Sequence, residues 1–268
     1  MLTKAVVPFF NDNLDTVSSF SLIKNSGFDG IMPWWEDDKL RARADCVKYA
    51  EKFGLKICNA HLPFANINSI WQDGVDGDEY TSYLCKLIIE LHDNNIPIAV
   101  IHPTKSDTPP EFSEIGLNRI KRLVDCAEKH DVKLAFENLR RVDYMDKILS
   151  QIDSKSVGFC FDSGHNNCFT PQKQVIAEHY DRLFALHIND NDGTKDMHIL
   201  PFDGTYDFEI MAKYIAKSSY RGALSAEVMK GRQPQYDGMT DEDYLDVLYR
   251  RLCKIDDILE KYIKEFEL

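Results

Sequence analysis

Short apolar runs alternate along the chain with longer stretches in which apolar residues recur every three or four positions. Runs such as Ile98-Ala99-Val100-Ile101 do not alternate apolar with polar side chains, so both faces of each strand should be covered. The longer stretches have the period of amphipathic helices. Covered strands that alternate with helices predict a parallel sheet with crossover helices.

Eight strand–helix units follow from this pattern, and eight units in 268 residues predict a closed (β/α)8 barrel. The fold class is therefore α/β, with a single TIM-barrel domain over residues 1–268. The first strand is followed by Phe9-Phe10-Asn11-Asp12-Asn13 and not by the Gly-rich loop of a nucleotide-binding open sheet. The predicted strands are residues 5–9, 30–34, 55–59, 97–101, 133–136, 157–161, 183–186 and 224–228. The predicted helices are residues 15–25, 40–53, 79–92, 116–130, 144–152, 171–180, 207–218 and 241–264.

Composition narrows the class of protein. Hydrophobic residues make up 44% and charged residues 28%, which is typical of a soluble globular protein. There is no apolar stretch of the roughly 20 residues that a membrane span needs. The start leads directly into a strand without signal-peptide architecture, and the seven cysteines contain no CxxC pair. We therefore expect a cytoplasmic protein with free thiols and no membrane partner.

The charge balance bears on the partner. With 32 basic and 44 acidic residues, the formal net charge is −12. A nucleic-acid-binding surface normally needs a basic patch that displaces counterions, so this charge argues against nucleic acid. It does not argue against a small sugar phosphate.

Four of the predicted strands end in a side chain that can bind a metal ion. Because the carboxyl ends of parallel strands meet at one rim, these side chains should converge there. Three carboxylates and one imidazole suit Mn²⁺, Zn²⁺, Co²⁺ or Mg²⁺, and the hard oxygen donors favour Mn²⁺. The predicted metal ligands are Glu137, Asp162, His187 and Glu227.

Further polar and aromatic side chains are predicted at the same rim. Histidines end the third and fourth strands, another follows the sixth strand, and an Asp-x-His pair lies in the loop after the seventh. We expect these residues to contact substrate or to act as further metal ligands, while aromatic residues complete the wall of the pocket. The predicted contact residues are His61, His102, His165, Asp196, His198, Trp34 and Phe64.

On these motifs the chain resembles the xylose-isomerase-like barrel superfamily, in particular its sugar phosphate isomerase/epimerase branch, over essentially its whole length. Similarity to the ketose 3-epimerases of this group implies one divalent metal ion held by the four predicted ligands. It also implies that Glu137 and Glu227 are an acid/base pair and that His165 contacts the substrate. Phe202 replaces a family glycine, and Asp196 stands where the epimerases carry a substrate-binding arginine, so their sugar specificity is not carried over.

The same superfamily contains apurinic-site endonucleases with three zinc ions. By resemblance, nine residues of this chain match their ligands in type, and the acidic charge weighs against this alternative. These residues are His61, His102, Glu137, Asp162, His165, His187, Asp196, His198 and Glu227.

The sequence thus predicts a metal-dependent sugar or sugar phosphate isomerase or epimerase that transfers a proton next to a metal-chelated carbonyl. A polyol or keto-sugar dehydratase uses the same groups and stays open, as do the trinuclear zinc phosphodiesterase and a non-catalytic sugar-binding protein. The partner is expected to be a small carbohydrate. Relatives of this kind are often homodimers or homotetramers, and we carry that expectation over.

Overall fold

The computed structural model of the chain describes residues 1–37 and 42–266. Its strands are parallel and form two sheets, in the orders β3-β2-β1-β9 and β4-β5-β6-β7-β8. Parallel bridges between Trp34 and His61 and between Ile188 and Ala226 join the sheets, so the fold is the predicted TIM barrel. The strands are β1 (Lys4–Val6), β2 (Gly30–Ile31), β3 (Lys56–Ile57), β4 (Ala60–His61), β5 (Ile98–Ile101), β6 (Lys133–Glu137), β7 (Val157–Asp162), β8 (Leu183–His187) and β9 (Leu224–Ala226).

Helices connect these strands and share one buried apolar cluster with them. Such a cluster explains why the strand runs are apolar on the face that the helices cover. The α-helices among the described residues are α1 (Thr16–Asn25), α2 (Arg43–Phe53), α3 (Val75–Asp93), α4 (Glu114–Lys129), α5 (Val142–Gln151), α6 (Ser163–Phe169), α7 (Val175–His179), α8 (Phe208–Lys217) and α9 (Asp241–Phe266).

A second, smaller cluster lies on the opposite face of four neighbouring strands and consists of Val100, Ala135, Cys160 and Ala185. Each of these residues stands two positions before a polar residue that is the last residue of its strand or, for His102, directly follows it. Because side chains alternate between the faces of a strand, the polar residues point to the same face, above this layer. Those residues are His102, Glu137, Asp162 and His187.

Several elements differ from the sequence prediction. The strands predicted at residues 5–9, 30–34 and 224–228 end earlier, at Val6, Ile31 and Ala226, because their ladder pairing with the neighbouring strands ends there. The third strand is divided into β3, which pairs with β2, and β4, which pairs with β5, because the chain changes sheets between them. The predicted helix 171–180 shortens to α7, and an additional helix, α6, precedes it. Helix α6 has no amphipathic pattern and begins where Asp162 accepts a hydrogen bond from the His165 amide at 2.7 Å. The predicted start of the second helix, at residue 40, lies outside the described residues.

Two predictions from composition can be compared with the structure. All seven cysteines are free thiols, and Cys46, Cys58 and Cys160 are buried. No helix among the described residues combines the length and apolar character that a membrane crossing requires.

Candidate metal centre

The four predicted metal ligands come together at the carboxyl ends of their strands. Glu137, Asp162 and His187 are the last residues of β6, β7 and β8, and Glu227 directly follows β9. One oxygen or nitrogen atom from each lies within 4.8 Å of the others, and all four residues are buried. We call them the first group.

Glu137 belongs to two groups at once. Its Oε1 lies 3.3 Å from Nδ1 of His187, and its Oε2 lies 3.2 Å from Nε2 of both His61 and His102. His61, His102 and Glu137 therefore form a second group of candidate ligands. Because its two oxygens face different imidazoles, this carboxylate could contribute one oxygen to each of two cation sites or serve as a ligand in only one of them.

A third group lies beside the first and consists of His165, Asp196 and His198. The Asp196 carboxylate lies between the two imidazoles, 3.3 Å from Nε2 of His165 and 3.2 Å from Nε2 of His198. Nδ1 of His165 also lies 3.1 Å from Oε1 of Glu137, which brings the third group close to the other two. The four predicted metal ligands and the predicted contact residues His61, His102, His165, Asp196 and His198 thus lie in one continuous cluster.

The orientation of two histidines indicates a cation site. Nδ1 of His61 lies 2.8 Å from the Leu62 carbonyl, and Nδ1 of His198 lies 2.9 Å from the Glu227 carbonyl. A carbonyl oxygen only accepts, so each Nδ1 carries a hydrogen and Nε2 of the neutral ring has a lone pair. Each lone pair faces a carboxylate oxygen, and either a proton or a metal ion must stand between them. Hydrogen bonds from Nδ1 to a backbone carbonyl fix the tautomer and the ring orientation of histidines that bind metal ions through Nε2.

The pKa shifts show how the cluster balances its charges without a metal ion. Burial opposes charge on the imidazoles, yet Cys160 and the Glu227 and Glu137 carboxylates raise the pKa of His187 well above its usual value. The neighbouring carboxylates, Asp196 first, raise the pKa of His198 to about 9. Burial would raise the pKa of Glu137, but the His187 charge and histidine hydrogen bonds lower it well below normal. Burial also raises the pKa of Asp162 to about 6. A bound cation would replace the imidazolium protons, so binding would release protons.

Neighbouring amides hold Asp162 in place. Asn189 donates a hydrogen bond from Nδ2 to Oδ2 of Asp162 at 2.9 Å, while the His165 amide holds Oδ1. Asn138 exchanges two hydrogen bonds with the Asp162 backbone, at 2.7 and 2.9 Å. Outer contacts of this type orient ligands and strengthen metal binding.

The loop that carries Asp196 and His198 is closed by Asp190. The buried Asp190 carboxylate accepts hydrogen bonds of 2.8–3.0 Å from the backbone amides of residues 191, 202, 204 and 206. His198 and Phe202 have φ of 52° and 71°, in the left-handed region that favours glycine. Such strain persists only where the surroundings fix it, so the carboxylate holds this loop and its two ligands in place.

Asp190→Asn is therefore expected to weaken metal binding by the third group. The amide nitrogen would face backbone N–H donors, leaving buried donors unpaired at a cost of about 1–3 kcal/mol. Thermal unfolding should show that loss, and metal analysis by mass spectrometry should show weaker retention. Asp192→Asn, an exposed position in the same loop, is the control. Equal stability and metal content in both variants would contradict the role of Asp190.

The ligand groups open into a cleft of about 500 Å³. The two predicted aromatic residues lie in its wall. Trp34 donates a hydrogen bond from Nε1 to Oε1 of Glu227 at 3.1 Å, and the Phe64 ring stacks on His102 with centroids 4.1 Å apart. The cleft can therefore hold a small polar molecule between an aromatic wall and the candidate metal ligands.

Comparison with known proteins agrees with this architecture. A family model described as "Xylose isomerase-like TIM barrel" matches residues 20–262. The chain belongs to this family. The chain is also similar to an uncharacterized protein, y4fM, of Sinorhizobium fredii, with 39% identity over 122 residues. That match covers 45% of this chain and 39% of the relative's length.

Solved structures of similar fold include sugar-acting proteins. A D-tagatose 3-epimerase-like protein is 18% identical, with a TM-score of 0.75 and full coverage of both chains. The IOLI protein, whose structure contains a zinc atom, is 17% identical with a TM-score of 0.77, over 98% of this chain and 99% of the other. At these identities the likeness shows the fold alone.

This xylose isomerase-like barrel also places residues in the cleft that the sequence analysis did not select. Thr104, Lys105, Arg140 and Arg232 line it together with the ligand groups. The sequence offered one indication of their position: Lys105 follows His102 by three residues and Arg140 follows Glu137 by three residues, so both belong to loops that begin at the rim. Their exposed basic side chains resembled ordinary surface residues in the absence of the tertiary structure.

Proposed function

We propose that this chain is a metal-dependent sugar isomerase or epimerase that transfers a proton next to a carbonyl group. The observation that carries the proposal is the first group, in which Glu137 and Glu227 share one candidate cation site and both line the cleft. Two carboxylates can serve as proton acceptor and donor on either side of one substrate. The likeness to a D-tagatose 3-epimerase-like protein supports this class of reaction.

The cation in this proposal is divalent and is held by Glu137, Asp162, His187 and Glu227. Mn²⁺ remains our expectation from the oxygen-rich donor set, and the zinc atom of the IOLI structure keeps Zn²⁺ open. When bound, such an ion polarises a carbonyl and stabilises developing negative charge.

The side chains divide the remaining tasks. Glu137 is assigned as the carboxylate that takes up the proton next to the carbonyl. Glu227 is assigned as the group that would deliver a proton in return, after taking that proton from solvent, and Glu137 would release to solvent the proton it took up. The hydrogen bond from Trp34 orients the Glu227 carboxylate. His61, His102, His165, Asp196 and His198 line the cleft and can bind sugar hydroxyls. Return to the opposite face is epimerisation, and return to the adjacent carbon is isomerisation.

Isotope exchange tests the proposal. Protein loaded with Mn²⁺ is incubated with a panel of ketoses in deuterated water, and the sugars are analysed by NMR and mass spectrometry. Deuterium at C2 or C3 is the expected result. An absorbing enone or diketone would instead indicate a dehydratase. Sugar binding without any exchange would overturn the catalytic assignment.

A trinuclear metal phosphodiesterase is the second candidate. The observation that favours it is that nine residues form three ligand groups linked by Glu137 and His165. The net charge of −12 weighs against a DNA substrate. Metal analysis and nicking of an abasic-site oligonucleotide distinguish the candidates. Three bound metal ions with nicking would support the phosphodiesterase, and one ion without nicking would support the sugar enzyme.

A further inference from the structure

The loop of residues 104–107 forms one wall of the cleft, directly after the strand that ends near His102. The Asn68 side chain fixes this loop through two hydrogen bonds with the Lys105 backbone. Asn68 Nδ2 donates to the Lys105 carbonyl at 2.7 Å, and the Lys105 backbone N–H donates to Asn68 Oδ1 at 2.8 Å. Ser106 has φ of 73°, in the left-handed region. A loop held in this way presents its side chains without further ordering, which lowers the entropy cost of binding.

Two cationic side chains flank this loop in the same cleft. The Lys105 ammonium lies 5.6 Å from the Phe64 ring centroid, and the Arg140 guanidinium lies 3.8 Å from the Phe169 centroid. Arg140 is paired with Asp107 at 2.9 Å, whereas no carboxylate of residues 1–37 or 42–266 forms an ion pair with Lys105. Aromatic contacts position both cations, and Lys105 keeps its charge available to a ligand.

Thr104 provides an independent observation. Thr104 lines the cleft and is only 1% exposed as a residue, and its buried Oγ1 has no hydrogen-bond partner within the described part of the chain. A buried hydroxyl without a partner is unfavourable, so its presence calls for a group that completes it. A ligand oxygen in the cleft next to Lys105 would accept its hydrogen bond.

We infer that Thr104, Lys105 and Arg140 bind an anionic group, a phosphate ester or a carboxylate, on the sugar that occupies the cleft. The inference rests on the proposed carbohydrate activity and names the class of sugar that the site selects. An anion gains charge-assisted hydrogen bonds from Lys105 and Arg140, which are stronger than the bonds a neutral hydroxyl would make. It also completes the hydrogen bonding of Thr104.

Calorimetric titration of the Mn²⁺-loaded protein tests this subsite independently of turnover. The matched probes are D-ribulose with D-ribulose 5-phosphate and D-tagatose with D-tagaturonate. One anionic probe should bind at least about tenfold more tightly than its neutral partner, as expected when a charged group is bound through hydrogen bonds. The preferred probe shows whether the site takes a phosphate ester or a carboxylate.

Two variants locate the effect. Lys105→Met and Thr104→Val should each lower the affinity for the preferred anion about tenfold and leave the neutral sugar unaffected. Thr104→Val retains the side-chain shape, and Lys121→Met, at an exposed position on α4, is the charge-matched control. Equal affinity for anionic and neutral probes, or variants that behave like the control, would overturn the inference. Lysine-dependent anion binding without any deuterium exchange would preserve the subsite and defeat the proposed activity.

Discussion

Replacing Glu137 with Gln is expected to remove metal binding by the first group and to lower proton exchange by about 10⁴-fold or more. The general base alone accounts for about 10²–10⁴-fold, and loss of the cation adds to it. The same carboxylate faces His61, His102, His165 and His187 at 3.1–3.3 Å, so one substitution disturbs all three ligand groups. Metal analysis and the deuterium-exchange assay measure both losses.

The control for this experiment is Glu51→Gln, at an exposed position on α2 and in none of the three ligand groups. It should keep wild-type metal content and exchange rate. Circular dichroism of Glu137→Gln must show an intact fold, since the carboxylate lies at the end of a strand and not in the apolar core. A folded Glu137→Gln variant with near-normal exchange would refute the assignment of this residue as the base.

Gly164→Ala is expected to destabilise the protein and weaken metal binding together. An added Cβ would lie 1.9 Å from Oδ1 of Asn189, the residue that donates a hydrogen bond to the Asp162 carboxylate. Overpacking of this kind costs about 1–3 kcal/mol or more, although alanine is the better helix former by roughly 1 kcal/mol. Displacement of an outer-shell partner typically lowers metal affinity about 10–100-fold.

The matched control is Gly238→Ala, because a Cβ at this position meets nothing within 4 Å and the backbone does not require glycine. Thermal unfolding and metal titration of both variants separate a general effect of losing glycine from the specific clash. If Gly164→Ala retained the stability and metal affinity of Gly238→Ala, the packing of Asn189 against α6 could not be what positions Asp162.

The sequence predicted those features of the fold that depend on a local pattern of apolar and polar residues. Continuous apolar runs indicated parallel strands that are covered on both faces, and their alternation with helices indicated the barrel. Side chains along a strand alternate between its two faces with a fixed period. The same period explains why Glu137, Asp162 and His187 could be selected as residues that end strands at one rim. Helix α6 escaped prediction because its start depends on the Asp162 cap and not on amphipathic spacing.

The sequence by itself therefore determined the barrel and the residues at its carboxyl rim, since both follow from short-range periodicity. Only the tertiary structure decided which of those residues meet: that Glu137 joins two ligand groups, that Asp190 closes the loop carrying Asp196 and His198, and that Asn68 sets Lys105 in the cleft wall. These contacts join segments distant in the chain, and their geometry depends on barrel closure and on loop backbone angles that no local pattern encodes.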